Sequence, residues 1–252
     1  MANQYIEGNG VFKNKLGLTD GKQLKAIEYA FTERNSKLLL TGLVDFKVVS
    51  YGLDRLSSIH KFLFQDLYEW AGKPRTVPSS KRASNGTITW FAESNAIFSI
   101  WKELEPKCNN FAINGNPDFS QKIDALIDIF ILANFSHPFP EGNGRSLQVF
   151  LRQLANTQCL GIDYSQVKED EWNHASAVSG KHGRLFEHSI PIYAQPDSDP
   201  LKRIFSRIIS PIGCSQEIPD LPKVAPTQEK THTEKSQEPQ KIGTKPEREL
   251  GD

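Results

Sequence analysis

Apolar side chains recur at helical spacing along most of the chain up to about residue 210. Between Gly21 and Leu40, the residues Leu24, Ile27, Ala30 and Phe31 mark one face and predict a first helix. Over residues 54–70, Leu56, Ile59, Leu63 and Leu67 lie on one stripe and predict a second, broken by the Ala71-Gly72-Lys73-Pro74 turn signal. Residues 123–135 are too densely apolar for a one-sided surface helix, which predicts a buried one. Pro138 ends it, because the residue before a proline is pushed out of the α region. Leu147, Phe150, Leu151 and Leu154 then start a new helical pattern. The predicted helices beyond the second cover 92–103, with Ile97, Ile100 and Trp101 inward, then 120–136, 144–158, 169–179 and 200–209.

One region breaks this rhythm. Residues 76–91 are β-prone around Asn85-Gly86, a pair that favours a tight hairpin turn. The expected class is therefore all-α, a helical bundle with one small β-hairpin. From residue 213 onward Pro, Glu, Lys, Gln and Thr dominate, and after Val224 almost nothing apolar remains. Such a composition cannot offset chain entropy. The expected organisation is a folded domain over 1–212 and a disordered polar tail over 213–252.

Between the buried helix and the next lies His137-Pro138-Phe139-Pro140-Glu141-Gly142-Asn143-Gly144-Arg145. The first amides of a helix lack internal partners and attract anions. Gly142 and Gly144 carry no side chain to block a phosphate from them, and Arg145 adds a cation. Glu141 is a hard oxygen donor suited to Mg²⁺ held jointly with substrate phosphates. His137 titrates near neutrality and can take a proton from a hydroxyl. The combination points to a nucleotide polyphosphate with a base beside it. It is not a Walker loop, since no Gly-Lys-Ser/Thr follows, nor a Rossmann turn, since a helical pattern precedes it.

Composition narrows the partners. The 252 residues carry zero formal net charge, so no nucleic-acid footprint is visible. The three cysteines, Cys108, Cys159 and Cys214, are scattered without metal spacing, which suits a reducing bacterial cytoplasm. No apolar run approaches the roughly 18 residues of a membrane span. The first residues lack the cationic start and apolar core of a Sec-type signal.

The 137–145 string resembles the signature of the Fic family, His-x-Phe-x-Asp/Glu-Gly-Asn-Gly-Arg. Residues 59–75 are similar to the helix and turn before the Fic flap, and Trp172-Asn173-His174-Ala175-Ser176 to the helix after the active-site loop. The likeness spans about 10–210 and implies a Fic fold, with AMP transferred from ATP to a Ser, Thr or Tyr hydroxyl of a target protein. It assigns His137 as catalytic base and Glu141 as Mg²⁺ ligand. It also assigns Gly142, Asn143, Gly144 and Arg145 to the phosphates, and Phe139 as a core anchor. The hairpin becomes a flap docking the target by strand addition through Thr87, Ile88 and Thr89. Implied partners are a target such as a small GTPase or another host or bacterial protein, and a small antitoxin. Delivery into a host cell by a type IV secretion system is a further implication.

One position departs from the family pattern, which continues Arg-x-x-Arg: Gln148 replaces the second arginine. Its amide still shares the phosphate-facing side of the helix but has no charge. That leaves room for a degenerate module that binds a partner, or for transfer of another phosphate-linked group. The family's inhibitory pattern, Ser/Thr-x-x-x-Glu-Gly/Asn, has no match; Asn3–Gly8 and Ser165–Glu169 come nearest. A separate antitoxin is therefore the expected inhibitor.

Overall fold

The structure is a computed structural model that describes residues 3–213 except 43, 45, 47, 84, 114–117 and 186–189. The compact unit is Met1–Ile218. The expected polar tail therefore lies almost wholly outside the described residues.

Seven helices form the body of the described chain: α1 (Gly21–Leu40), α2 (Leu53–Phe64), α3 (Ile97–Ile113), α4 (Phe119–Ser136), α5 (Asn143–Asn156), α6 (Glu169–Val178) and α7 (Asp199–Ile208). α4 is the centre, packed against α3, α5 and α7, while α2 lies against α1 and α5. Its N-terminus is closed by a capping box, in which Asp118 takes the Gln121 amide and the Gln121 side chain takes that of Asp118. Ile123, Leu126, Ile127, Ile129, Phe130 and Ala133 are all buried, as a helix apolar on several sides requires.

Three elements differ from the sequence pattern. α2 stops at Phe64, not residue 70, because Leu67 and Tyr68 both turn back to the Phe64 carbonyl. The turn lets the Tyr68 and Trp70 rings stack at 4.2 Å. α3 does not stop near residue 103 but runs through Pro106 to Ile113. Interior proline costs roughly 3 kcal/mol; burial of Cys108, Phe111 and Ala112 on the face begun by Trp101 and Leu104 offsets it. On α1 the buried stripe is Leu24, Glu28, Thr32, Asn35 and Leu39, whereas Ala30 is exposed.

The hairpin is present but is not isolated. β1 (Ser80–Arg82) and β2 (Ile88–Trp90) join β4 (His182–Leu185) and β5 (Pro191–Ala194) in an antiparallel sheet of order β1-β2-β4-β5. A second, two-stranded sheet pairs β3 (Leu160–Ile162) with β6 (Ile209–Pro211). Cys108 is free and buried. No described helix is long and apolar enough to cross a membrane.

Candidate active site

His137 caps α4 with left-handed backbone, φ 41°, and this turns the chain into the loop. Such a φ is uncommon outside glycine and needs outside support. Arg75 supplies it. Its Nε donates to the His137 carbonyl at 2.7 Å and its backbone N–H to the Pro138 carbonyl at 2.7 Å. Nη1 donates to the Val77 carbonyl, and Nη2 to the carbonyls of Ala92 and Ser136. The guanidinium is buried and its side-chain partners are all main-chain oxygens.

The His137 ring stacks on Phe91 at 3.5 Å, and its buried Nδ1 has no hydrogen-bond partner. Burial, then the charges of Arg75 and Lys81, push its pKa down to about 3, only partly offset by the backbone at Asn134. The ring is thus neutral at physiological pH and titrates well below the near-neutral range expected of it, which leaves it able to accept a proton but makes it a weaker base than a free imidazole. It keeps partial exposure on one side.

Phe139 is fully buried and stacks on His60 at 3.8 Å, as expected of an anchor. Asn143 is engaged by the loop's own backbone. Its Oδ1 accepts the Phe139 N–H at 2.8 Å and its Nδ2 donates to the Phe139 carbonyl at 2.8 Å. A buried amide engaged in this way holds the loop.

Arg145 is engaged by protein as well. It is one pole of a buried charge cluster: Nη2 donates to Glu28 of α1, Nη1 to Thr32 Oγ1 at 3.3 Å, and Nη2 more weakly to Glu141 Oε1 at 3.4 Å. Tyr68 donates its hydroxyl to the other Glu28 oxygen. The guanidinium lies between the rings of Tyr29 and Phe64, at 4.8 and 5.0 Å from their centres. Its charge is therefore already engaged by protein.

The two glycines divide in function. Gly142 has φ 79°, and a Cβ there would sit 2.2 Å from Phe64. Its bareness seats the loop on α2. Gly144 is exposed, with nothing within 4 Å of a Cβ position, so the first amides of α5 stay open to a ligand. Gln148, one turn further, is partly exposed. Glu141 takes the Gly142 N–H and Arg145 on Oε1 at 2.9 and 3.4 Å. Its other oxygen makes no hydrogen bond among the described residues, and the side chain is 44% exposed. One hard, accessible oxygen beside open amides fits Mg²⁺ shared with phosphates. No cluster of three or more His, Cys, Asp or Glu side chains that could hold a metal alone exists among the described residues.

The sheet and α6 line an open cavity of about 770 Å³, with Lys81, Thr87, Thr89, Asn173, His174 and Tyr193 among its walls. Lys81 links it to His137, whose charge it disfavours. Thr87–Thr89 cannot serve as an open docking edge. β2 is paired on both sides, Thr89 with Lys81 of β1 and with His182 of β4. Among the described residues the sheet's edge strands are β1, whose three residues are exposed, and β5.

Sequence reasoning missed Glu28, Thr32, His60, Tyr68 and Arg75. For α1 a signal was available: Glu28, Thr32 and Asn35 follow Leu24 at steps of four, four and three, polar residues on a core-facing stripe. Nothing in the local sequence marks Arg75.

Comparisons with known proteins agree with this layout. A model of the Fic/DOC family matches residues 50–155. Protein adenylyltransferase VbhT of Bartonella schoenbuchensis is 36% identical over 170 residues, 68% of this chain and 34% of that protein, so the chain spans about a third of VbhT. A probable protein adenylyltransferase Fic of Escherichia coli is 24% identical over 83% of this chain and 92% of its own. Among solved structures, BepC of Bartonella tribocorum, with bound AMPPNP, superposes with a TM-score of 0.66 at 22% identity, covering 83% of this chain and 97% of that one. A Fic domain of a Bep effector from Bartonella quintana, with bound ADP, gives 0.67 at 23% identity, over 82% and 95%. On the family match over residues 50–155 and these relatives, the chain belongs to the Fic/DOC family.

Proposed function

We propose that the chain is a protein adenylyltransferase, moving AMP from ATP to a Ser, Thr or Tyr hydroxyl of a target protein. The observation that carries this is the neutral, partly exposed His137 ring, held by Arg75 at the rim of open helix amides. His137 removes the proton of the target hydroxyl as its oxygen bonds to the α-phosphorus, and the bond to the bridging oxygen of the leaving pyrophosphate breaks in line. The α5 amides at Gly144 and Arg145 stabilise the phosphate charge, and fixed donors of this kind supply much of the rate in phosphoryl transfer. Glu141 would hold Mg²⁺, which supplies charge neutralisation on the phosphates. The cavity under the sheet has room for the nucleoside end, with Asn173 and His174 as polar contacts.

The target segment adds to the exposed edge of β1, residues Ser80–Arg82, in place of the expected Thr87–Thr89. The target is a protein of host or bacterial origin, and a small antitoxin is its external inhibitor. A second reading, inefficient transfer or another phosphate-linked group, is favoured by two facts: Arg145 is engaged by Glu28, and position 148 carries no charge. Incubation with α-labelled ATP and a lysate, with mass analysis of labelled proteins, separates them. A gain of AMP that depends on His137 supports the first reading; no label from ATP but label from another nucleotide supports the second.

A further inference from the structure

His60 lies on α2, away from the loop in sequence, yet its two ring nitrogens tie the turn after α2 to the loop. The Gly72 N–H donates to Nδ1 at 2.8 Å, so Nδ1 is an acceptor. The proton must then sit on Nε2, which donates to the Glu141 carbonyl at 2.9 Å. The ring is fully buried between Phe64, at 4.6 Å, and Phe139, at 3.8 Å. One tautomer and one orientation are thereby fixed. The bonded carbonyl belongs to the residue whose carboxylate is the candidate metal ligand, and the next amide, Gly142, is bound by that same carboxylate.

We propose that His60 is a positioning residue for the transfer reaction: its Nε2–H sets the peptide plane of Glu141 and so aims the Glu141 carboxylate at the metal-bearing phosphates. The role rests on the adenylyltransferase reading, but its geometry is testable separately. A surface or cavity-lining residue would not need two opposed hydrogen bonds on a stacked ring; a residue that orients a ligand's backbone would. Stacking alone would hold Phe139, but it would not distinguish the two faces of the Glu141 peptide.

The test uses the whole chain with His60→Phe, which keeps an aromatic ring in the stack, and His60→Gln, whose amide offers the same pairing of one acceptor and one donor. Partners that orient a metal ligand typically contribute about 10–100-fold to metal affinity or activity. His60→Phe should therefore lower the Mg²⁺ enhancement of ATP binding, and kcat, by about that factor, while ATP binding without metal changes little. His60→Gln should recover most of the loss. Equal impairment of both variants, or unchanged Mg²⁺ dependence in a folded His60→Phe, overturns the proposal. Nitrogen NMR of the wild-type ring is the second readout: a proton on Nε2 is expected, and a proton on Nδ1 overturns the assignment even where His60→Phe fails to fold. Absence of Mg²⁺-dependent ATP binding in the wild type would instead defeat the adenylyltransferase reading and leave the NMR result to judge His60.

Discussion

The inner wall and the outer rim of the loop come from one nine-residue string but are in opposite states. On the inner wall, Phe139, Gly142, Asn143 and Arg145 are occupied by protein: a stacked ring, a close packing contact, two backbone hydrogen bonds and a buried charge cluster. On the rim, His137 keeps an unpartnered Nδ1, Gly144 faces open space and Glu141 keeps a free oxygen. A signature that looks uniformly chemical is thus about half scaffold. Residues on the wall should affect stability first, and residues on the rim should affect transfer with little change in stability.

The sharpest break in that comparison is at His137. His137→Ala should reduce transfer by about 10²–10⁴-fold with a melting temperature close to wild type, read by labelled-ATP kinetics and calorimetry. Full transfer in that variant would remove the base from the rim.

The glycine pair comes next. Gly142→Ala meets Phe64 and a positive φ, costs of about 1–2 kcal/mol for the backbone and about 1–3 kcal/mol for overpacking, and should lower the urea midpoint clearly. Gly144→Ala should leave the midpoint unchanged or slightly raised and weaken ATP binding. Equal stability loss at both positions would erase the division between wall and rim.

Asn143→Ala tests the wall alone. It leaves the buried Phe139 N–H and carbonyl without partners, which costs about 1–3 kcal/mol. Transfer should fall in step with loop order, so Asn143→Asp, which keeps the acceptor for the Phe139 N–H, should fall less far than Asn143→Ala.

Acid acts on both regions alike. His60 on the wall and His137 on the rim each have a folded pKa of about 3, lowered from 6.5 chiefly by burial. Unfolded rings take up protons as pH falls through about 6.5, while the folded rings stay neutral. The unfolded state then binds more protons, so stability should fall as pH drops from about 7 toward 4 and be flat with respect to these rings above that. Urea midpoints across this range should show the decline, reduced in His60→Gln. A flat profile in the wild type would mean that the rings are not held neutral.

The smallest effect is expected at Gln148. Gln148→Arg places a cation beside the phosphates without displacing a structural partner, and ATP should bind more tightly by up to about tenfold, the span of a charge-assisted hydrogen bond. Titration calorimetry with ATP and with other nucleotides checks it; unchanged ATP affinity with faster transfer of another group would favour the second reading of function.

The bundle, the buried α4 and the loop between α4 and α5 were legible because apolar periodicity and proline act locally. Phe139 was legible as an anchor through the family resemblance. Asn143 and Arg145 were not, because the partners that engage them, the Phe139 backbone and Glu28, are defined only once α1 and the loop pack. Residue 148 shows the reverse: its lack of charge is plain in the sequence, and its partial exposure leaves the reading intact. The sheet around the flap was missed since β4 follows the hairpin by about ninety residues, and strands of three or four residues leave almost no periodic signal.

Arg75 carries a consequence for how this protein can drift. Its side chain binds the oxygens of Val77, Ala92, Ser136 and His137, atoms that every amino acid possesses. As far as that clamp is concerned, mutation at Val77 or Ala92 is silent, whereas mutation at Arg75 releases all four carbonyls together. Sequence divergence in the relatives of such a protein can erode the surroundings of the loop while its geometry is inherited intact.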